Sequence, residues 1–241
     1  MTTFPIHLAA HALTAFLVLF TPWWGCRQMQ NARKRLRAGD PLVRVRLYRS
    51  LIIEQLALTA AVCGLWLLGG IPGVSLGICA PRTWWGTAGL GVVLGGFLVW
   101  SALRSRPKAE KLRGKLGEQI GVLVPDSLEE HRWFACVSVG AGIAEELAYR
   151  GFLFYYFSVY LPQMHSPGIA LLSSLVFGMG HLYQGWKGVV KTALVGLILA
   201  GFYLLTGSIL LPIVLHALTD LQVALIFWPA ASGRAAAQEA A

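Results

Sequence analysis

Long apolar segments alternate with short polar segments along most of this 241-residue chain. A helix of about 20 residues crosses a hydrocarbon core of ~30 Å, and apolar segments close to that length recur about seven times. They lie near residues 6–24, 51–70, 84–103, 133–157, 168–183, 188–206 and 208–228. A helix satisfies its backbone hydrogen bonds within one segment, as lipid requires. The pattern therefore predicts an all-α fold, a polytopic membrane helix bundle of about seven, possibly eight, transmembrane helices.

The overall composition agrees with this prediction. Hydrophobic residues make up 56% of the chain and charged residues only 13%, which is far from the average of soluble domains. Several apolar segments are rich in glycine and alanine, for example GTAGLGVVLGG at residues 86–96. Small residues let helix backbones approach closely in lipid. The composition therefore favours an integral, multi-pass membrane protein over a soluble one.

The formal net charge is +9, but the basic residues are concentrated in two loops. The first loop contains Arg27, Arg33, Lys34, Arg35, Arg37, Arg44, Arg46 and Arg49. The second contains Arg104, Arg106, Lys108, Lys111, Arg113 and Lys115. Cytoplasmic loops carry an excess of lysine and arginine, so we expect both loops and, after seven spans, the C-terminus to be cytoplasmic. Such clusters touch anionic lipid, which leaves the bilayer as a partner and gives little support to nucleic acid.

Ionisable side chains inside the apolar segments lie mainly in the C-terminal part of the chain. Each costs ~2.5 to 3.5 kcal/mol at membrane depth, so such residues usually line an interior cavity and mark function. They are Glu145, Glu146, Arg150, His216 and Asp220, with His181 close to the end of its segment. The first half has only Glu54, His7 and His11, which can reach interfacial water. We therefore expect N-terminal transmembrane helices with basic cytoplasmic loops (1–132), a functional helical core (133–228) and a loose C-terminal tail (229–241).

Helical geometry separates the two adjacent glutamates. Residues four apart share a helix face, whereas neighbours are rotated by about 100°. Glu146 and Arg150 therefore face the same way and should form a structural ion pair. Glu145 has no cation nearby in the sequence. A carboxylate in such an apolar setting suits a general base that works near neutral pH.

Two further motifs each span one helical turn. FGMGH runs from Phe177 to His181, and HALTD runs from His216 to Asp220. In the second motif Asp220 could orient His216 by a hydrogen bond, or both could point independently at one bound group. A lone membrane histidine is more often a packing residue, but two histidines with two carboxylates in successive spans favour chemistry.

These motifs resemble a known family when they are taken together. EELAYRG matches EExxxR, FGMGH matches FxxxH, and HALTD matches HxxxN/D, in this order. This set is similar to that of the CPBP intramembrane proteases, the group of CAAX prenyl endopeptidases and bacteriocin-processing-related (Abi) proteins. The resemblance covers residues 133–228, which makes this core the catalytic one. It implies that Glu145 and His181 activate the attacking water and that His216 and Asp220 stabilise the oxyanion. Glu146, Arg150 and Phe177 fall on supporting positions.

One departure from the pattern concerns Asp220, because prenyl-protein-processing members carry asparagine there. Asparagine can donate a hydrogen bond to an oxyanion, whereas ionised aspartate cannot. Asp220 must then be protonated or act through His216. The family has also been described as metal-dependent, and Glu145, His181 and His216 could form a three-ligand zinc site. Nothing in the chain resembles HExxH, so we expect no metal and no other cofactor.

The resemblance implies an intramembrane endopeptidase whose protein or peptide substrate enters from the membrane. A prenylated C-terminus, a bacteriocin-like peptide and the membrane anchor of an exported protein all remain open as substrates. A proton-coupled transporter would also place carboxylates, histidines and an arginine inside a bundle. A non-catalytic scaffold or immunity factor on the same fold is a further alternative.

Counting ~1.5 Å per helical residue places the candidate site near mid-membrane, slightly toward the non-cytoplasmic face. His181 comes out nearer the cytoplasm by the same count. We therefore expect the fifth span to be tilted, displaced or broken, with flexibility provided by Gly178 and Gly180.

Overall fold

The computed structural model describes residues 4–116 and 120–229, and every regular element among them is helical. The helices are α1 (Phe4–Ala15), α2 (Thr21–Arg37), α3 (Val43–Gly69), α4 (Trp84–Ser105), α5 (Ala109–Lys115), α6 (Leu128–Glu146), α7 (Leu153–Tyr160), α8 (Ser166–Gly180), α9 (Trp186–Thr206) and α10 (Leu210–Ile226). A π-helical turn, Phe16–Phe20, joins α1 to α2, and another, Leu147–Phe152, joins α6 to α7. The 3₁₀ turn Arg106–Lys108 joins α4 to α5, so counting joined helices once leaves seven segments in the described part of the chain. The predicted all-α bundle of about seven helices is confirmed.

Not all seven segments have the length and composition of a simple membrane span. Four do among the described residues: Ile6–Arg37, Val43–Gly69, Trp84–Lys115 and Trp186–Thr206. The apolar helices α8 and α10 have only 15 and 17 residues. At ~1.5 Å per residue both are shorter than a hydrocarbon core of ~30 Å. His181 is the C-cap residue of α8, whereas His216 and Asp220 lie within α10.

The buried core surrounds the π-helical turn between α6 and α7. All six residues from Leu147 to Phe152 are buried. Phe177 of α8 belongs to the hydrophobic cluster that contains this turn. The turn is closed by a hydrogen bond from the Leu153 N–H to the Ala148 carbonyl, one residue wider than in an α-helix. Such insertions occur often at functional sites. This one lies directly after the two adjacent glutamates.

Two glycines allow neighbouring helices to pack at close range. A Cβ atom at Gly142 of α6 would lie 2.8 Å from the Ile213 carbonyl oxygen of α10. A Cβ atom at Gly178 of α8 would lie 2.7 Å from the Val189 carbonyl oxygen of α9. Gly178 therefore provides room for a packed helix pair, and the flexibility expected of it stays a prediction. The helix α8 runs without interruption to Gly180, inside the predicted segment 168–183, and His181 is its C-cap residue.

The segment before α6 is held by local capping and by ion pairs. The Ser127 side chain accepts a hydrogen bond from the Glu130 N–H at 3.1 Å, and the Glu130 side chain accepts one from the Ser127 N–H at 3.2 Å. This capping box satisfies two otherwise unpaired helix donors. Arg44 of α3 lies 2.6 Å from Asp126, which also pairs with Arg113. The start of α6 is thereby tied to both basic loops.

Candidate active site

The ion pair predicted between Glu146 and Arg150 is present and fully buried. Arg150 Nη1 donates to Glu146 Oε1 at 2.7 Å, and both side chains are 0% exposed. Arg150 Nη2 donates to the Gly196 carbonyl oxygen of α9 at 2.9 Å. A buried pair with additional hydrogen bonds offsets the large cost of removing two charges from water. The pair therefore links α6 to α9 through the centre of the bundle.

Glu146 has a second partner that helical spacing alone did not indicate. His216 Nδ1 lies 2.7 Å from Glu146 Oε1. An ionised carboxylate only accepts, so Nδ1 carries the proton and donates it. Asp220 does not orient His216, since Asp220 Oδ2 lies 3.9 Å from His216 Nε2, beyond hydrogen-bonding range. Of the two arrangements that the sequence left open, the structure has His216 and Asp220 pointing separately into the site.

Glu145 faces both imidazole rings. Its Oε2 atom lies 3.7 Å from His216 Nε2 and 4.0 Å from His181 Nε2. The Nδ1 atom of His181 is 2.9 Å from the Phe177 carbonyl oxygen and donates to it. Both histidines thus use Nδ1 for a structural hydrogen bond, which leaves Nε2 directed at Glu145. The structure brings together all four predicted catalytic residues, Glu145, His181, His216 and Asp220, whose roles remain predictions.

The Phe177 ring lies beside Arg150 and beside both histidines of the site. Its centroid lies 4.6 Å from Arg150 Cζ, 4.8 Å from the His181 ring and 5.8 Å from the His216 ring. A guanidinium over an aromatic face gains a cation–π interaction. Phe177 is buried, so it separates the Glu146–Arg150 pair from His181 and fixes the His181 ring.

The site is more open at one end than at the other. The Asp220 side chain is 40% exposed, Glu145 is 23% exposed, and His216 is only 8% exposed. Asp220 follows His216 along α10, toward the end of that helix that lies near the start of α6. His181 leads into a loop in which the Tyr183 carbonyl oxygen accepts a hydrogen bond from Arg33 Nη2 at 3.0 Å. The most exposed of the four side chains, Asp220, therefore lies on the side of the basic loops. The displacement toward the other face that was expected from helical rise stays a prediction.

Tyr183 is a residue near the site that the sequence interpretation missed. Its ring centroid lies 5.7 Å from that of His181. The only signal in the sequence is its position two residues after a motif histidine. By contrast, the Glu54 carboxylate accepts hydrogen bonds from Gln28 at 2.6 Å and from Ser50 at 3.0 Å. His7 and His11 contact tyrosines of α7 at the other end of the bundle.

Three side chains of the site are potential ligands of a metal ion. Glu145 Oε2 is buried and accepts no hydrogen bond from the described residues, and two imidazole nitrogens with a carboxylate have the chemistry of a catalytic zinc site. However, no group of three or more His, Cys, Asp or Glu side chains in ranges 4–116 and 120–229 is arranged to hold an ion. That the site works without a metal ion stays a prediction.

Residues 128–222 match the family model described as Type II CAAX prenyl endopeptidase Rce1-like. The matched region contains every motif residue from Glu145 to Asp220, so the resemblance seen in the sequence is confirmed. The match supports an intramembrane endopeptidase of the CAAX type in an integral membrane protein. No curated protein and no solved structure matches the chain.

The first prediction concerns Glu146→Gln. The substitution leaves the Arg150 charge buried without a carboxylate, which should lower the free energy of unfolding by ~3 to 5 kcal/mol. Unfolding in detergent micelles, followed by circular dichroism, measures this loss. The control is Glu129→Gln, an exposed acid in the first turn of α6, which should cost less than ~1 kcal/mol. Equal stability of the two variants would contradict the structural role of Glu146.

Proposed function

We propose that this protein is an intramembrane endopeptidase that hydrolyses a peptide bond near the terminus or membrane anchor of a protein or peptide, using water activated by glutamate and histidine. The observation that carries the proposal is the position of Glu145 Oε2, opposite the Nε2 atoms of His181 and His216. Separations of 3.7 and 4.0 Å are too long for direct hydrogen bonds. They suit a bridging water molecule, which is the nucleophile that peptide hydrolysis needs.

In the proposed first step, Glu145 takes a proton from that water while His181 Nε2 orients it. The water oxygen attacks the carbonyl carbon of the scissile amide and forms a tetrahedral oxyanion. The proton held by Glu145 then passes to the amide nitrogen, the C–N bond breaks, and acid and amine products leave. A positioned base near its operating pH contributes a factor of roughly 10² to 10⁴ to such a reaction.

His216 is proposed to stabilise the oxyanion from the opposite side. As a protonated ring it donates its Nε2–H to the developing negative charge, and Glu146 at Nδ1 balances the charge of the ring. This use of a carboxylate behind a histidine follows the logic of catalytic triads, in which the carboxylate orients the ring. Ionised Asp220 cannot donate to an oxyanion, so it acts through His216 or in its protonated form.

We propose that the substrate is held in the bilayer by a lipid or an apolar anchor, with its cleaved terminus on the side of the basic loops. The opening toward Asp220 supports this direction, as does the Arg33 contact to the loop that follows His181. Trp23 and Trp24 are exposed on α2 next to Gly25, in the manner of an interfacial aromatic belt. The matched family model favours a prenylated C-terminus among the substrates that the sequence left open.

The second prediction is glutamate-dependent cleavage. Purified protein in detergent micelles should cut a fluorogenic peptide in which three residues follow a farnesylated cysteine, and mass spectrometry should identify both fragments. Glu145→Gln should lower the rate at least ~100-fold, as loss of a general base does, without changing the unfolding temperature.

The matched control is Glu54→Gln, which removes an intramembrane carboxylate bonded to Gln28 and Ser50 and should keep the activity. The same peptide without its lipid and a peptide with an apolar transmembrane anchor complete the panel. Failure of the wild-type protein to cut any of the three would contradict the protease and favour a transporter or a non-catalytic scaffold.

The third prediction concerns the side of the membrane. If the basic loops and the C-terminus are cytoplasmic, sealed inverted vesicles should cut peptide added from outside, whereas right-side-out vesicles should cut it only after detergent treatment. Both preparations should show equal activity once they are permeabilised. Cleavage confined to intact right-side-out vesicles would place the opening on the opposite face.

The fourth prediction concerns metal. Activity should survive exhaustive treatment with chelators, and elemental analysis should find far less than one zinc ion per active chain. Activity that is lost on chelation and restored by added zinc would instead establish the metal-dependent form of the same protease.

A further inference from the structure

The loop after His181 presents a tyrosine to the site. Tyr183 lies in the short 3₁₀ turn Leu182–Gln184, and its ring centroid is 5.7 Å from the His181 ring at an interplanar angle of 38°. Its phenol oxygen accepts a hydrogen bond from Gln184 Nε2 at 3.2 Å. This contact uses the oxygen as an acceptor, so the phenol proton is available to a further group.

The position of this loop is defined by helices outside the matched catalytic region. Arg33 of α2 donates to the Tyr183 carbonyl oxygen at 3.0 Å. The ring packs against an apolar cluster whose buried members are Met29, Ala32, Val43, Leu47 and Val122. The helix α2 packs directly beside the ring, since a Cβ atom at Gly25 would lie at ordinary contact distance, 3.4 Å, from Tyr183 Cδ1. Tyr183 is therefore held in place before any substrate binds, as an effective catalytic donor must be.

The charges around Tyr183 keep its proton in place. Tyr183 lies in the turn between α8 and α9. Burial raises the pKa of its phenol above the usual value, and the negative charges of Glu145 and Asp220 raise it further. Tyr183 is thus a neutral hydrogen-bond donor throughout the physiological pH range.

The proposed reaction needs such a donor. His216 can supply one hydrogen bond to the oxyanion, but Asp220, whose Oδ2 is 3.9 Å from His216 Nε2, is acceptor-only when ionised. A tetrahedral intermediate is commonly stabilised by more than one donor. Among the neutral hydroxyl groups of the described residues, the phenol of Tyr183 stands on a ring that contacts His181 and that packing holds in place.

We propose that Tyr183 is a further catalytic residue, whose phenol O–H donates a hydrogen bond to the scissile carbonyl oxygen and stabilises the oxyanion together with His216. The proposal rests on the proposed endopeptidase activity. No bond of the tyrosine is made or broken, because its proton stays on the phenol oxygen while negative charge develops on the substrate oxygen.

The test, which is the fifth prediction, uses Tyr183→Phe and the peptide whose cleavage by the wild-type protein requires Glu145. Phenylalanine keeps the ring and its packing and removes only the hydroxyl. The kcat value should fall ~10²- to 10³-fold, as on loss of one oxyanion donor, while KM stays within about twofold. Tyr203→Phe removes a phenol of α9 that packs on Phe154 and should leave kcat unchanged.

A second variant separates donation from a structural effect. Asparagine at position 220 supplies an N–H donor, so adding Asp220→Asn to Tyr183→Phe should recover at least about tenfold of the lost kcat, whereas adding Asp220→Ala should not. A wild-type kcat for Tyr183→Phe, a loss confined to KM, or no recovery with Asp220→Asn would overturn the role of Tyr183 and leave the proposed protease standing. Absence of Glu145-dependent cleavage in the wild-type protein would instead contradict the proposed function itself.

Discussion

The buried carboxylate of Glu146 is the interaction on which the arrangement of the site depends. Through one oxygen atom it accepts from Arg150 at 2.7 Å and from His216 at 2.7 Å. Arg150 in turn donates to the backbone of α9. One carboxylate therefore joins α6, α9 and α10. Because breaking a buried pair costs several kcal/mol, this junction gives His216 a defined orientation in an environment with few other polar anchors.

The two adjacent glutamates of α6 differ in their surroundings. Glu146 is 0% exposed and shared by two partners, whereas Glu145 is 23% exposed and faces two imidazole nitrogens across 3.7 and 4.0 Å. The π-helical turn that follows them places Arg150 against Glu146 and buries all its own side chains. The segment behind Glu145 is therefore buried, whereas the Glu145 side chain stays partly exposed.

The short helix α8 positions His181. Because α8 ends at Gly180, His181 stands at a helix terminus rather than within a span, and the following loop can reach α2 through Arg33. The N-terminal helices thus support the site, although they contribute none of its motif residues. In this arrangement the exposed Asp220 side chain, the loop with Tyr183 and the basic residues lie on one side of the bundle.

The sequence by itself determined the all-α membrane bundle and its approximate helix count, and it indicated the motif residues that the structure brings together. The length of the apolar segments and the positions of the basic residues indicate a bilayer directly. The pairing of Glu146 with Arg150 follows from their four-residue spacing in a helix. The tertiary structure decided what depends on contacts between helices. It chose Glu146 rather than Asp220 as the partner of His216, gave Gly178 a packing role and brought Tyr183 to the site. These features could not be predicted, because helix ends and crossings depend on packing that no local pattern encodes.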